Sequence, residues 1–553
     1  MVQRTPRGFR DILPQEALAR ERITEAVRSC FSSHGYLPVE TPLLEDRTVI
    51  ETAGRIQDSP FQLFDKDDRL LMLRPDLTLP ISRMVASRMV ADGLPLRLRY
   101  VAPVVREQGA LRGQPRQFTQ LGVELVGGEG ADSEAEVVML LADALARLGV
   151  PDWYVVCGSV APLTALLRAC EMGESFTREV LSLVHQSDLV GLDDLVESNE
   201  GLTSAQADAL RKIVRLNGDE LVVDELEELL VGAGVDDAVE VVASMRKLVQ
   251  SCAPLVRTRR LRFDFSIINS FDYYTGLVFK AYAEGIAASL ASGGHYDAVL
   301  KNLGLPDVSA CGFAMSLERL QEVLGEQGES GVVTPGVRLA DRPLRIAVPK
   351  GSLFSDTLRV LEAAGLPVEG LRDLGRKLIV REKDVEYVIV RAQDAPSFVA
   401  FGGADCGICG RDSIIEADVD LLQLVDLKYG WCRFVVAEPA EAKGRADRAY
   451  AWRGTMRVAT KYPRITQAYY DRIGQQVDIV QLHGNIELGP IVGMTDRIVD
   501  ITATGTTLAE NDLVIVDDVL ECTARFFAGP AAYRCDSRIR ALTQRLAEVT
   551  TQS

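Results

Sequence analysis

The spacing of apolar and polar positions changes several times along this chain of 553 residues. In the early part, stretches such as "RLRYVAPVV" and "RQFTQLGVELVG" predict strands with antiparallel pairing, and "SEAEVVMLLADALARLG" predicts a helix. From about 161 to 256 the pattern becomes one of acidic amphipathic helices, for example "GDELVVDELEELLVGAG", with almost no strand signal. We interpret this part as a helical insertion in a mixed α/β region.

All periodicity stops at 325–343, "GEQGESGVVTPGVRLADRP", where Gly, Ser, Pro and Glu predict an interdomain linker. Beyond it, short apolar strands such as "LRIAVP", "EYVIVRA", "RVATKY" and "VDIVQLHG" alternate with helices. This alternation is typical of βαβ units around mainly parallel sheets. We therefore predict a multidomain α/β protein with regions 1–324, 325–343 and 344–553, a division that suits a chain too long for one core.

Composition narrows the class of protein. Hydrophobic residues make up 47% and charged residues 25%, as in ordinary globular proteins. The start, "MVQRTPRGFRDILPQE", has no apolar signal core, and no apolar run approaches the length of a membrane span. The net charge of −18 disfavours nucleic acid as the main partner, because phosphate binding needs clustered cations. We expect a cytoplasmic protein with no membrane partner.

Cysteine and histidine usage gives no sign of a resident metal. Ten cysteines are spread along the chain, which is typical of reduced, buried thiols in a reducing compartment. The pair in "CGIC", Cys406 and Cys409, lacks a second pair of ligands, and the four histidines are scattered. We therefore predict no metal site formed by the protein alone.

The segment "RIVDITATGTTLAEND", 497–512, combines an apolar strand, Asp500, a loop of small residues from Thr502 to Thr507 and a helix predicted to start at Leu508. Small residues let backbone N–H groups and hydroxyls close around a phosphate, and a helix N-terminus adds a favourable dipole. An acid just before such a loop can hold ribose hydroxyls, which is the logic of a phosphoribosyl pyrophosphate site. A threonine-rich helix cap after a buried strand is an equal alternative on this stretch alone.

Further motifs in the same half favour the phosphate site. They are "AVPKGSLFSDTL", "RKLIV", "RAQDAPSFVAFGGADCGICGRD", "DLKYGWCRFVVA", "RVATKYP" and "LHGNIELGPIVGMTDRIVDITATGTTL". In this order they resemble the short form of ATP phosphoribosyltransferase, over essentially all of 344–553. The resemblance implies a two-lobed α/β fold like that of periplasmic binding proteins. It also implies transfer of ribose 5-phosphate from phosphoribosyl pyrophosphate to N1 of the adenine of ATP, with Mg²⁺ carried by the substrates.

The resemblance also assigns roles to residues of this half. Catalytic roles fall on Arg376, Glu487 and Asp500. Substrate binding falls on Lys350, Gly351, Arg391, Asp394, Thr502, Thr504, Gly505, Thr506 and Thr507. Cations and small residues suit this task, because the reaction separates a ribosyl cation from a departing pyrophosphate. One position departs from the family pattern "KGR", since Ser352 follows Gly351 here.

The first half carries its own ordered motifs: "PRGFRDILP", "VETPLLE", "LRPDLTLPISR", "RQFTQLGVELVG", "FDYYTGLVF", "SGGHYDAVL" and "GFAMSLERL". Residues 1 to about 325 thereby resemble the catalytic core of histidyl-tRNA synthetase, which implies a class II synthetase-like α+β domain. The matching positions of its amino-acid pocket are Asp76, Thr78, Gln120, Glu124, Tyr273 and Tyr274. Carboxylates and hydroxyls suit a ligand with an ammonium group and an imidazole, although the two tyrosines taken alone favour an interpretation as core aromatics.

The activating groups of that family are altered. Asn269 occupies the position of its arginine in "RGLDYY", Gln108 replaces a glutamate of motif 2, and no anticodon-binding domain follows Leu320. We therefore predict a histidine sensor fused to the enzyme that opens histidine biosynthesis, acting as an even-numbered homo-oligomer. Two alternatives stay open: an active histidyl-tRNA synthetase with an accessory ligand-binding domain, and a fusion whose second half binds a solute without catalysis.

Overall fold

The computed structural model describes residues 5–53, 61–90, 93–107, 115–128, 130–267, 274, 276–284, 286–325, 342–503 and 505–551. The chain forms two compact units, Met1–Asp341 and Arg342–Ser553. Most of the linker predicted at 325–343 lies outside the described residues. None of the helices in the described ranges combines the length and the apolar character that a membrane crossing requires.

The strands of the N-terminal unit are, in chain order, β1 (Leu37–Pro38), β2 (Leu44–Asp46), β3 (Gln62–Phe64), β4 (Leu70–Leu73), β5 (Leu96–Val105), β6 (Gln117–Val126), β7 (Trp153–Ser159), β8 (Asn217–Gly218), β9 (Leu261–Asp264), β10 (Leu277–Ala283), β11 (Ala291–His295) and β12 (Ala310–Ser316). Within the described residues, nine of them form a mostly antiparallel sheet in the order β1-β5-β6-β12-β11-β10-β7-β9-β8, and β2-β4-β3 form a second sheet.

Its helices are α1 (Pro14–Ser33), α2 (Arg47–Ala53), α3 (Thr78–Met84), α4 (Gly130–Arg147), α5 (Ala161–Cys170), α6 (Gly173–His185), α7 (Leu189–Glu197), α8 (Ser204–Ile213), α9 (Val222–Gly232), α10 (Ala238–Ser251), α11 (Ala253–Arg257), α12 (Asp297–Asn302) and α13 (Leu317–Leu324). The run from α5 to α11 occupies the place predicted for the helical insertion. Local signals define its helix ends: Thr203 and Gln206 form a reciprocal capping box at the start of α8.

The C-terminal unit contains β13 (Leu344–Lys350), β14 (Ile379–Glu382), β15 (Val385–Arg391), β16 (Cys406–Gly410), β17 (Leu422–Asp426), β18 (Cys432–Pro439), β19 (Met456–Thr460), β20 (Val477–Gln481), β21 (Arg497–Thr502), β22 (Leu513–Cys522) and β23 (Ala524–Ala528). Its helices are α14 (Phe354–Ala363), α15 (Glu369–Arg372), α16 (Ala395–Ala400), α17 (Arg411–Ala417), α18 (Arg445–Arg453), α19 (Pro463–Arg472), α20 (Leu488–Ile491), α21 (Thr506–Glu510), α22 (Pro530–Cys535) and α23 (Ser537–Thr551).

Two sheets divide this unit into a first lobe, ordered β14-β15-β13-β16-β23-β17, and a second lobe, ordered β20-β19-β21-β18-β22. Each lobe has its own apolar core. The chain passes between the sheets at 427–431 and again at Thr523. The sheets are mixed, not mainly parallel as the sequence suggested. Strands β18, β22 and β23, which flank the passages, pair antiparallel with their neighbours.

Candidate active site and regulatory pocket

Asp500 lies near the end of β21, in the middle of the second sheet. Parallel pairing aligns Thr460 of β19 with Val499, so the residues that follow Thr460 come next to Asp500. The side chain of Asp500 is 9% exposed, and its Oδ1 atom is buried with no hydrogen-bond partner among the described residues. A buried carboxylate oxygen without a partner is unfavourable in a folded protein, and such an atom indicates a place where a ligand binds.

The charge of Asp500 is set by its surroundings. Burial raises the pKa of this carboxyl to about 6, a backbone N–H group and the charge of Lys461 lower it, and the nearby carboxylate of Glu487 raises it again. The structure therefore brings the two predicted acids, Glu487 and Asp500, into one electrostatic cluster. Lys461 is a functional candidate that the sequence analysis missed, although it lies inside the quoted motif "RVATKYP".

Lys461 lies two residues before the start of α19. The carboxylate of Glu416, on α17 of the first lobe, accepts hydrogen bonds from the backbone N–H groups of Arg464 at 3.3 Å and Ile465 at 2.8 Å. Arg464 also pairs with Asp418 at 2.6 Å. These contacts join the two lobes at Arg464 and Ile465, which follow Lys461 in the chain.

The predicted phosphate loop follows β21. The backbone N–H of Gly505 donates to Thr502 Oγ1 at 2.7 Å, and Gly505 has a φ of +76°, which favours glycine. Helix α21 begins at Thr506, two residues before the predicted start, and spans five residues. The side chains of Thr506 and Thr507 are exposed at its beginning. Thr504 lies outside the described residues.

Predicted cations of the first lobe collect at one sheet edge. Lys350 and Arg391 are register partners at the carboxyl ends of β13 and β15, and both are exposed. Gly351 follows directly, and Asp394 precedes α16, with its N–H donating to the Arg391 carbonyl at 3.0 Å. Arg376 is exposed in the turn before β14. Because β14 runs antiparallel to β15, that turn approaches the end of β15 that carries Arg391.

In the N-terminal unit, Asp76, Gln120 and Glu124 are all buried. Gln120 and Glu124 lie on one face of β6, the strand between β5 and β12. Asp76 Oδ1 accepts the N–H of Leu79 at the start of α3 at 3.1 Å. Asp76 Oδ2 and Gln120 Oε1 are buried and have no hydrogen-bond partner within the described ranges. Two predicted pocket residues therefore each present an unused acceptor.

Glu124 differs, because hydroxyl groups already surround its carboxylate. Thr78 donates to Oε1 at 2.9 Å, Tyr100 to the same oxygen at 3.4 Å, and Tyr296 to Oε2 at 2.5 Å. Burial raises the pKa of Glu124 to about 8, despite these hydrogen bonds. A Cβ atom on Gly312, its neighbour on β12, would lie 2.0 Å from Oε2 and 2.4 Å from the backbone oxygen of Val123, so a larger residue would force a shift here. Burial thus favours the protonated form of Glu124, and the three donated hydrogen bonds favour the carboxylate.

Tyr274 packs against the same apolar core as Tyr100. A Cβ atom on Gly294 of β11 would lie 2.4 Å from its ring. Tyr273, Asn269 and Gln108 lie outside the described residues. Tyr100 and Tyr296 were missed by the sequence analysis, although Tyr296 is part of "SGGHYDAVL" and the alternation along β5 turns Tyr100 to the buried side.

Comparisons with known families divide the chain in the same way. The family model described as Histidyl-tRNA synthetase matches residues 8–320, and the one described as ATP phosphoribosyltransferase matches 391–548. An ATP phosphoribosyltransferase of Rubrobacter xylanophilus is 49% identical over 193 residues, which is 35% of this chain and 89% of the relative. An ATP phosphoribosyltransferase regulatory subunit of the same organism is 34% identical over 368 residues, 66% of this chain and 84% of the relative.

A solved structure from Bacillus halodurans, titled as an ATP phosphoribosyltransferase regulatory subunit/histidyl-tRNA synthetase, has a TM-score of 0.55 and 26% identity. It covers 71% of this chain and 93% of that structure. These findings confirm the synthetase-like fold expected for the first half. The chain therefore belongs to the ATP phosphoribosyltransferase family, with a region of the histidyl-tRNA synthetase family fused ahead of its catalytic region.

Proposed function

We propose that the C-terminal unit transfers ribose 5-phosphate from phosphoribosyl pyrophosphate to N1 of ATP at the Asp500 cluster, under control of histidine bound in the N-terminal unit. The observation that carries the catalytic assignment is the buried Oδ1 atom of Asp500, which has no hydrogen-bond partner among the described residues. Its position directly before the threonine loop is where a ribose would lie if the loop held the 5′-phosphate.

Residues of the second lobe bind different parts of phosphoribosyl pyrophosphate according to their charge. Hydroxyls and N–H groups of the loop, at Thr502, Gly505, Thr506 and Thr507, bind the 5′-phosphate. Asp500 accepts from ribose hydroxyls and stabilises positive charge that develops on the ribose as the pyrophosphate leaves. Lys461 faces the acidic cluster and stabilises a departing anion.

The first lobe binds the pyrophosphate group and the phosphates of ATP. Lys350, Arg376 and Arg391 bind the pyrophosphate and the ATP phosphates, with Gly351 and Asp394 shaping the same edge. Guanidinium groups suit this task because they can bind phosphate oxygens with two hydrogen bonds. Alignment of the two substrates, more than proton transfer, is the work of this site.

Mg²⁺ fits the acidic cluster. Magnesium prefers a small number of carboxylate oxygens together with substrate phosphates and water. Asp500 has a buried oxygen with no partner in the part of the chain that the structure describes, and Glu487 lies close enough to raise its pKa. These two residues would hold the ion with the pyrophosphate, and the ion would neutralise charge on the leaving group.

The N-terminal pocket supports histidine as its ligand. Asp76 Oδ2 and Gln120 Oε1 are buried acceptors without partners in the described residues, which suits an ammonium group and an imidazole N–H. The sequence changes at Asn269 and Gln108 favour binding without activation. An active histidyl-tRNA synthetase is the second candidate, because the core of that family is retained.

One assay tests both assignments. The purified full chain is incubated with ATP and phosphoribosyl pyrophosphate, and product is measured with and without histidine. We expect product formation that histidine lowers. No product contradicts the catalytic proposal, and histidine-dependent exchange of pyrophosphate into ATP supports the synthetase alternative. Light scattering on the same sample tests the proposed even-numbered homo-oligomer.

A further inference from the structure

Three side chains that no part of the proposed function uses converge where the end of α1 meets α4. Cys30 is fully buried on α1, and His34 follows the last residue of that helix. Asp143 lies on α4. Cys30 Sγ lies 3.4 Å from Asp143 Oδ2, and His34 Nε2 lies 3.7 Å from the same oxygen. The three ligand atoms are all within 4.8 Å of one another.

The hydrogen bond on the other side of the His34 ring decides which nitrogen is free. His34 Nδ1 lies 3.0 Å from the carbonyl oxygen of Cys30. A carbonyl oxygen only accepts, so Nδ1 carries the proton and Nε2 of the neutral ring has a lone pair. That lone pair faces the carboxylate of Asp143. Two acceptors that face each other can share a bound cation, and ligating histidines commonly donate their other N–H group to a backbone carbonyl in this way.

The separations suit tetrahedral coordination. With bond lengths of about 2.3 Å to sulfur and about 2.0 Å to nitrogen and oxygen, tetrahedral geometry places the ligand atoms roughly 3.3–3.6 Å apart. The measured 3.4 Å and 3.7 Å are close to this range. A thiolate, an imidazole and a carboxylate together favour Zn²⁺ over Mg²⁺ or Ca²⁺, which prefer oxygen ligands alone.

We propose that Cys30, His34 and Asp143 bind one Zn²⁺ ion, which joins the end of α1 to α4. Binding releases the thiol proton of Cys30 to solvent and forms the sulfur–metal bond. The side chains of His34 and Asp143 are 41% and 34% exposed, so the ion enters from that side and a water molecule completes the coordination. Spacing alone did not reveal the site, because Asp143 comes from a distant part of the chain.

Arg147 is the competing cation. Its guanidinium nitrogen lies 2.9 Å from Asp143 Oδ2, one turn further along α4. The other oxygen of the carboxylate remains available to Arg147 when Oδ2 binds the ion. Since Arg147 is an exposed side chain at the end of the helix, its displacement requires little rearrangement.

The test uses the full chain, freed of metal with a chelator and titrated with Co²⁺ alone. A cobalt ion bound by a thiolate shows a charge-transfer absorption band. We expect one Co²⁺ per chain with this band and displacement of cobalt by Zn²⁺. Cys30→Ser should abolish the band. His34→Gln should weaken cobalt binding at least tenfold, and His185→Gln, which changes another exposed histidine at a helix end, should leave it unchanged.

Two results overturn the proposal. One is the absence of a charge-transfer band in the parent chain. The other is an unchanged cobalt affinity in His34→Gln. This variant tests the proposal even if Cys30→Ser fails to fold, because His34 is partly exposed and its replacement leaves the core intact.

Discussion

At the scale of single residues, Asp500 shows how a functional group can oppose stability. Burial raises the pKa of its carboxyl from 3.8 to about 6. Such a group favours the folded state only when protonated. Its ionised form therefore lowers the free energy of unfolding progressively as pH rises from about 4 to 6, and the loss persists at neutral pH. A protein keeps such a residue where a ligand uses the charge.

Asp500→Asn should accordingly separate activity from stability. We expect at least a tenfold lower kcat with a smaller change in KM, because the charge acts mainly in the transition state. At pH 7 the variant should be more stable by about 2–3 kcal/mol, since the desolvated charge is gone. Steady-state kinetics and thermal unfolding measure the two effects. An unchanged kcat would show that Asp500 is only a buried acid at a strand end.

Asp496→Asn is the matched control, four residues earlier in the chain. Asp496 lies 2.9 Å from Arg453 and accepts the N–H of Arg457 at 2.9 Å. Burial raises its pKa, but these partners outweigh burial and the pKa is lowered. The stability that this carboxylate contributes is present at neutral pH and is lost as pH falls. Its replacement should therefore lower the melting temperature and leave kcat unchanged.

Gly505→Val tests the phosphate loop. A β-branched residue at a φ of +76° is strained by about 1–2 kcal/mol and blocks close approach of the backbone to a phosphate. We expect a large loss of affinity for phosphoribosyl pyrophosphate, measured by calorimetry. Gly474→Val is the control, because Gly474 has a φ of +68° after α19 and a Cβ there meets nothing within 4 Å. Equal affinity in both variants contradicts the loop assignment.

At the scale of elements, an ionic cluster joins β11 to α4 and α12. His295 Nδ1 lies 2.9 Å from Glu134, and Nε2 lies 2.8 Å from Asp297 and 3.2 Å from Ser309. Burial lowers the pKa of His295, but the hydrogen bonds to the two carboxylates outweigh this and raise it to about 9. Because the adjacent Tyr296 donates to Glu124, the cluster also helps to position Glu124 in the predicted histidine pocket.

The raised pKa of His295 predicts how the stability of the fold depends on pH. A histidine with a raised pKa stabilises the fold fully below about 6.5, and that contribution is lost as pH rises through about 9. The melting temperature of the N-terminal unit should therefore fall over this window, by an amount equivalent to about 3 kcal/mol. His295→Gln should flatten the slope, and the exposed His185→Gln should not. Calorimetry of the full chain measures the melting temperature at each pH. If the dependence of melting temperature on pH is unchanged in His295→Gln, the stabilising role of the His295 cluster is wrong.

At the scale of the whole molecule, regulation requires that histidine bind two global states of the protein unequally. Weakening the pocket should therefore raise the histidine concentration needed for inhibition without changing uninhibited turnover. Asp76 Oδ2 has no hydrogen-bond partner among the described residues, which makes Asp76 a sharper probe than Glu124, whose oxygens already accept from three hydroxyls.

Burial raises the pKa of Asp76, and a bound ammonium group favours its ionised form, so Asp76→Asn keeps the shape of the side chain and removes the charge that would pair with the ligand. The loss of a charge-assisted hydrogen bond of about 1.5–3 kcal/mol should raise the half-inhibitory histidine concentration at least tenfold. Tyr274→Phe should act in the same direction, more mildly. The control is Asp208→Asn, an exposed acid in the helical insertion paired with Lys212. The half-inhibitory histidine concentration of each variant is measured by titrating product formation with histidine. If histidine inhibits every variant as it inhibits the parent, the sensor lies elsewhere.

The sequence by itself determined the units, the helical insertion and both family resemblances. These features depend on local patterns, namely side-chain period, turn residues and short motifs, which are written consecutively along the chain. Among the predicted residues that the structure describes, Glu487 lies near Asp500, and Thr78 and Asp76 lie near Glu124. Their roles stay predictions.

Only the tertiary structure decided which groups meet. Strand register brings Lys461 beside Asp500, although 39 positions separate them in the sequence. Packing of α3 and the neighbouring strands surrounds Glu124 with hydroxyls, and it leaves Asp76 and Gln120 with acceptors that have no partner among the described residues. Sequence patterns specify which face of an element is buried, but not which distant side chain lies opposite. Burial and partners, not residue type, set the pKa of Asp500 and Glu124, and so these properties appeared only once the chain was folded.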